Sequence, residues 1–169
     1  MNMKSCSGVF LVMCMVAGGY LGGGVALSTG LASTLPAPVT HWPFDEETGP
    51  EVREVQGVCA VGQTSPQVVR VPGVFGRAIL LNGLNQSVMV PHAPKLKPAQ
   101  QISISLWVFP RELTGTHCLY RKEDGDHRHL LAFQEQGRVL AFGLHAGGRY
   151  AELDVPIEPS WFCDGHWHL

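Results

Sequence analysis

The sequence is poor in charge, and it lacks the signals of several function classes. Charged residues make up 15% of the 169 positions, and the net charge is −2. A protein that binds nucleic acid through general electrostatics carries an excess of basic residues, so this composition gives no support to that role. Helical periodicity is almost absent, and there is no internal repeat or low-complexity tract. The 20 glycines and 12 prolines favour a turn-rich β protein.

Charge is missing altogether between Lys4 and Asp45. Within that gap the segment GVFLVMCMVAGGYLGGGVAL is apolar and follows a short basic start, and small-x-small sites end at Ala26 and Ala32. This order of features is typical of a secretory signal. We therefore expect a signal peptide or N-terminal anchor over 1–32, a Pro-containing linker over 33–40 and one domain over 41–169.

Two fates of the N-terminal segment stay open. The apolar stretch reaches the roughly 20 residues that span a bilayer, and Gly18 and Gly22 form a small-xxx-small pair of the kind found between membrane helices. Its many glycines make a poor helix, however, which favours cleavage. Either way we expect the protein to be secreted, periplasmic or at the cell surface, and to touch a membrane only if the segment is uncleaved.

Few cysteines remain after the N-terminal segment, and none has CxxC spacing. Cys59, Cys118 and Cys163 would face an oxidising compartment after export. Three is an odd number, so at most one pair forms within this chain. The spacing predicts neither a c-type haem attachment nor a C-x2-C zinc site.

Short alternating runs cut by turn residues dominate the chain from His41 onward, which indicates an all-β protein. The clearest run, QISISLWVFP over 101–110, places Leu106 and Val108 on one face and Ser103, Ser105 and Trp107 on the other. Further strands are predicted over 77–83, 86–91, 117–123, 127–134, 137–146 and 147–156, with a strand start at 166–169.

Four segments resemble one known family in combination. They are HWPFDEETG, VPGVFGRAILLNGLNQSVMVP, QISISLWVFP and DGHWHL. Together they resemble the laminin-G-like domains of the concanavalin A-like lectin/glucanase superfamily, in particular the modules of large exported bacterial proteins. The matching positions are Trp42 and Asp45, Gly73 and Gly76, 102–110, and 164–168. The likeness covers 41–169.

The resemblance carries expectations about fold and function. It implies a two-sheet antiparallel sandwich, a concanavalin A-like jelly roll. In this family further strands follow the Trp-His strand, so we expect the C-terminal strands to be missing here and further domains to be present on the full-length chain. It also implies a non-catalytic extracellular module that recognises carbohydrate or another surface. A glycan-cleaving hydrolase of the same fold and a structural spacer are the alternatives.

An aromatic platform is the leading ligand-binding hypothesis. Sugar rings stack on exposed aromatic side chains, and Trp107 shares the polar face of its strand with Ser103 and Ser105. If that face is open, the three residues line a binding groove. The alternative is that Trp107 packs inside the domain.

Calcium is the leading metal hypothesis, because many relatives in the family bind it. Asp124 and Asp126 lie in the dense RKEDGDHRH segment, and Asp45 lies near the start of the domain. Calcium takes six to eight oxygen ligands, whereas this segment offers two or three. An exposed, charged hairpin tip is therefore the competing interpretation.

Two further groups of residues resemble known sites, and each has a structural alternative. Glu152, Asp154 and Glu158 resemble a glucanase carboxylate strand, but 152 and 158 would lie roughly 20 Å apart when extended, far from the about 5–5.5 Å of a retaining pair. We therefore expect no catalysis, with Ala151, Leu153 and Val155 pointing inward.

His166 and His168 share a strand face and could reach one zinc ion, yet a closed zinc site needs four ligands. A strand start is favoured there.

Overall fold

The structure is a computed structural model that describes residues 2–4, 7–16, 38–97, 101–124, 127–146 and 148–169. Within these ranges the chain is built from antiparallel β-strands and three one-turn 3-10 helices. The strands are β1 Asn2–Lys4, β2 Ser7–Val16, β3 Thr40–Trp42, β4 Glu51–Val52, β5 Gly62–Thr64, β6 Val69–Pro72, β7 Arg77–Asn82, β8 Ser87–Met89, β9 Ser103–Val108, β10 His117–Asp124, β11 His127–Gln134, β12 Val139–Ala146 and β13 Arg149–Pro156. The helices are Pro94–Leu96, Glu135–Gly137 and Pro159–Trp161.

The described strands form three sheets. One has the order β1-β8-β5-β4, and a second is the meander β10-β11-β12-β13. The third has the order β3-β2-β7-β6, with β9 paired to the other edge of β2. The all-β prediction is confirmed at this level, while the jelly-roll arrangement stays a prediction.

The meander follows the sequence pattern closely. The predicted strand 127–134 coincides with β11, and the others shift by one or two residues at an end. The turn between β11 and β12 carries Gln136 at φ 60° and Gly137 at φ 78°. A Cβ on Gly137 would lie 2.5 Å from the Cβ of Leu113, so a side chain here would meet both a left-handed backbone and a buried neighbour.

The core draws large side chains from all three sheets and the loops between them. Its fully buried members include Trp42, Phe44, Ile79, Tyr120 and Phe133. Burying an aromatic or aliphatic side chain of this size contributes about 1.5–3 kcal/mol relative to exposure. The phenolic group of Tyr120 is enclosed here, and burial raises the pKa of its hydroxyl above the ordinary range.

β9 shows the predicted alternation. Leu106 and Val108 are buried in the core, whereas Ser105 and Trp107 are half-buried on the other face. The backbone of Val108 exchanges two hydrogen bonds with His168, of 2.8 and 2.9 Å. The predicted strand at 166–169 is thus present as a single bridge.

The N-terminal segment takes part in the third sheet through its backbone. β2 lies between β9 on one edge and β7 and β3 on the other, so that Met13 pairs with both Leu106 and Trp42. Cleavage after residue 32 would remove β2, so the sheet described here belongs to the chain that keeps this segment, and the signal-peptide interpretation stays a prediction. In the described ranges no helix combines the length and apolar character that crossing a membrane requires.

Candidate functional site

A surface cavity of about 320 Å³ brings together three of the predicted site residues, Trp107, Ser105 and Asp45. His41 and Phe75 also line it. Sequence reasoning missed both of these. Neither residue has a periodic signal in the sequence, because β3 is only three residues long and Phe75 lies in a turn.

Strand register explains how His41 reaches this cavity. Within the third sheet, Cys14 of β2 pairs with His41 on one side and with Ser105 on the other. Residues that pair across antiparallel strands point to the same face, so His41 and Ser105 share the face opposite to the core. Trp107 follows Ser105 by two residues and joins them.

Asp45 fixes the turn that forms the neighbouring wall. Its Oδ1 accepts a hydrogen bond of 2.7 Å from the backbone N–H of Arg77. Gly76, at φ 59°, leaves room for this contact, because a Cβ there would lie 2.2 Å from Asp45 Oδ1. The turn closes through a 3.0 Å bond from Gly73 N–H to the Gly76 carbonyl, and it holds Phe75 with 73% of its surface exposed.

An ion pair supports the segment that carries Asp45. Arg70 Nη1 lies 2.8 Å from Glu46 Oε2, and the two side chains are only 6% and 17% exposed. The same Nη1 donates a hydrogen bond of 3.0 Å to the carbonyl of Phe44. Phe44 is buried, and its φ is 63°. These contacts on both sides of Asp45 hold its backbone in place.

The aromatic side of the predicted platform extends beyond the cavity. Trp107 is half-buried and is not among the residues of the buried core cluster, so its role as a ligand platform stays a prediction. Phe109, two residues further on, makes an edge contact with Trp167 at 5.6 Å between ring centroids. Ser103 is exposed on the same strand face, but it does not line the cavity.

Of the three predicted metal-ligating residues, only Asp45 has a described side chain. Asp45 lies at the cavity, where one carboxylate oxygen already binds the Arg77 N–H. Asp124 ends β10, and its side chain, like the whole of Asp126, falls outside the described residues. Among the side chains that are described, no group of three His, Cys, Asp or Glu could hold a metal ion.

The carboxylates of β13 lie on a surface away from the cavity. Glu152 accepts hydrogen bonds from the Tyr150 hydroxyl and from Gln134 Nε2, the latter at 3.2 Å. Burial, followed by the bond to Glu152, raises the pKa of Tyr150 to about 12. Glu158 follows in the turn after the strand. The sequence pattern predicts that Ala151, Leu153 and Val155 point into the core. They are not buried, because every residue of β13 is exposed to solvent, and this prediction is therefore wrong.

The C-terminal histidines surround one aspartate. His168 Nε2 lies 3.0 Å from Asp164 Oδ1, and the His166 N–H donates to the same oxygen at 2.9 Å. The bond with His168 holds the pKa of Asp164 below its ordinary value. The His168 ring packs 5.1 Å from Phe162, whereas the His166 side chain is 78% exposed. Both rings therefore lie beside the same carboxylate, with His166 Nδ1 3.4 Å from Asp164 Oδ2, and the preference for a strand start over a zinc site stays a prediction.

Cys59 and Cys163 are half-buried free thiols. Burial, followed by the charge of Glu54, raises the pKa of Cys59 to about 11. Burial, followed by the charge of Glu112, also raises the pKa of Cys163. Both thiols therefore stay protonated at neutral pH, which is unlike a nucleophilic or metal-binding cysteine.

No protein-family model matches the chain, and no curated protein or solved structure is similar to it at a significant level. The family resemblance therefore depends on the quoted motifs, and the function has to be argued from the site.

Proposed function

We propose that the protein is a non-catalytic extracellular recognition module with a laminin-G-like, concanavalin A-like jelly-roll fold, and that it binds carbohydrate. The binding site is the cavity of Trp107, Ser105, His41, Asp45 and Phe75. The observation that carries the proposal is the meeting of two aromatic rings with a hydroxyl, an imidazole and a carboxylate in one cavity.

The chemistry of these side chains suits a sugar. An aromatic ring offers an apolar face for the C–H face of a pyranose, and Phe75 and Trp107 supply two such rings. The hydroxyl of Ser105, the imidazole of His41 and the carboxylate of Asp45 supply donors and acceptors for ring hydroxyls. Binding sites commonly combine an apolar lining with a few convergent polar groups of this kind.

A hydrolase is the less favoured function. The candidate carboxylates lie on β13 and in the turn after it, away from this cavity, and Glu152 is already engaged by Tyr150 and Gln134. Asp45 has the sole acidic side chain among the described residues that line the cavity, whereas glycoside hydrolysis ordinarily uses a pair of acidic side chains.

We also propose that the chain is exported, with 1–32 as its signal peptide or anchor. Calcium is proposed at the β10–β11 tip through Asp124 and Asp126, with Asp45 as a separate single ligand. N-terminal sequencing of the exported protein tests the first point, and calcium titration with and without a chelator tests the second.

Binding is tested with soluble hexasaccharides of β-1,3-glucan, β-1,4-glucan and β-1,4-galactan. Saturable quenching of tryptophan fluorescence is expected with at least one of them, and Trp107→Ala should abolish it. Trp161→Ala is the matched control, because Trp161 is 59% exposed and lies outside the cavity lining. Quenching lost in the control but kept in Trp107→Ala would refute the assignment. No binding to any of the sugars would favour a spacer.

A further inference from the structure

The outer edge of β13 is open within the described part of the chain. β13 pairs with β12 along its whole length, from Arg149 opposite Ala146 to Pro156 opposite Val139. No described strand lies on its other edge. Alternate backbone N–H and C=O groups of an edge strand are available to another strand, and this edge is eight residues long.

One face of this edge strand is apolar and uncovered. Ala151, Leu153 and Val155 share a face with Phe142 and Leu140 of β12, through direct register pairs. That face continues into the core at Phe133, which is fully buried. Leu153 is 63% exposed and Val155 is 43% exposed. A strand added beside β13 would place its own side chains against Leu153 and Val155.

The opposite face of the same strand is acidic. Glu152 and Asp154 lie two positions apart, which is roughly 7 Å along a strand. Glu152 is held in place by Gln134 and by Tyr150, whose ring is also covered by the Arg128 guanidinium at 5.3 Å. The absence of a side chain at Gly143 makes room for this cluster, because a Cβ there would overlap the Tyr150 hydroxyl. Glu152 is therefore preorganised on the sheet surface, and Asp154 lies beside it on the same face.

Charge disfavours a second copy of this chain as the occupant. Two antiparallel registers pair most of β13 with itself while keeping the apolar faces aligned. One places Glu152 opposite Glu152, and the other places Glu152 opposite Asp154. Like charges directly opposite each other destabilise a strand pair, whereas opposite charges stabilise it.

We propose that the β13 edge binds an extended segment of a partner protein in which apolar and basic residues alternate. The segment adds a strand by β-augmentation. Its basic side chains lie opposite Glu152 and Asp154, and its apolar side chains lie opposite Ala151, Leu153 and Val155. This interaction is independent of the sugar-binding cavity.

The test uses the full chain and a capped seven-residue peptide in which valine and lysine alternate. Backbone amide NMR signals of β13 are expected to shift saturably, while those of β9 stay in place. A valine–glutamate peptide of the same length is the matched control and should not bind. N-methylation of the peptide on the groups facing the edge should abolish binding, because it removes backbone donors.

Variants of the protein test the charge rule. The double variant Glu152→Gln and Asp154→Asn should bind the valine–lysine peptide roughly 2- to 30-fold more weakly, as expected for two lost cross-strand pairs. Arg111→Gln, which lies in none of the strands, should bind unchanged. Equal binding of both peptides, shifts confined to other strands, self-association through β13 in the absence of peptide, or coverage of the β13 edge by a further strand of a longer protein would each overturn the proposal.

Discussion

β9 and β13 have similar sequence patterns and very different surroundings. Both alternate apolar and polar residues over six to eight positions. β9 is flanked by β2 on one edge and by the His168 bridge on the other, and its apolar face is buried. β13 has one described neighbour, and all of its residues are exposed.

The difference shows what alternation encodes. Alternation of apolar and polar residues predicts that a segment is a strand, and it predicts which face each residue lies on. Both follow from the side-chain period of two, which is a local property. Whether a face is covered depends on residues that are distant in the chain. An apolar cavity of about 320 Å³ between β9 and the meander is lined by Leu106 of β9 and by Leu131 and Phe133 of β11, so β11 faces residues that are distant in the chain, whereas β13 does not line this cavity.

Removing one leucine from each strand should give the largest contrast. Leu106→Ala in β9 should lower the free energy of unfolding by about 2–5 kcal/mol, as expected for a buried leucine. Leu153→Ala in β13 should change it by less than about 0.5 kcal/mol, as expected at an exposed position. Urea unfolding measures both. Equal losses would mean that the β13 face is covered in solution.

The turn beside β9 offers a smaller effect with a matched control. Gly76→Ala should displace the Asp45 carboxylate from the Arg77 N–H and cost about 1–3 kcal/mol for the lost bond, in addition to backbone strain. Gly115→Ala shares the positive φ, at 80°, but has no atom within 4 Å of the added Cβ. Comparing the thermal unfolding of the two variants separates the loss of the Asp45 contact from the backbone strain that both variants share. A smaller loss for Gly76→Ala than for Gly115→Ala would contradict the role given to Asp45.

The His168 bridge on the second edge of β9 should respond to acid. The pKa of Asp164 is lowered in the folded state, chiefly by the bond with His168. A lowered acid pKa contributes stability above the unfolded value near 3.8, and this contribution is lost as the pH falls through the folded value. Asp164→Asn should therefore flatten the acid limb of the stability curve. Measuring stability between pH 2 and pH 5 tests this, and an unchanged slope would argue against the contact.

The smallest effect is expected at Tyr150 on β13. Its pKa is raised to about 12 from 10, so the stability that it contributes is present below pH 10 and is lost as the pH rises through about 12. Glu152→Gln should lower this pKa by removing a nearby charge, in an ultraviolet titration of the phenol. Glu158→Gln serves as the control. An equal response to both changes would show that Tyr150 does not sense Glu152.

Local pattern accounts for what could be predicted from the sequence. The bounds of β11 and the two faces of β9 follow from alternation, and so does the position of Ser105 and Trp107 on one face. The strands β3 to β6 were not predicted, because runs of two to four residues carry no resolvable period. His41 and Phe75 were missed as site residues for a further reason. His41 reaches the cavity through pairing across β2, and Phe75 through a contact between Asp45 and a glycine 31 positions away.

The outer face of β9 is the proposed sugar-binding surface. Its most direct test follows the indole N–H signals of Trp107 and Trp161 by NMR while the β-glucan and β-galactan hexasaccharides are added. We expect a saturable shift of the Trp107 signal with at least one sugar and a constant Trp161 signal. A constant Trp107 signal with every sugar, or a shift confined to Trp161, would contradict it.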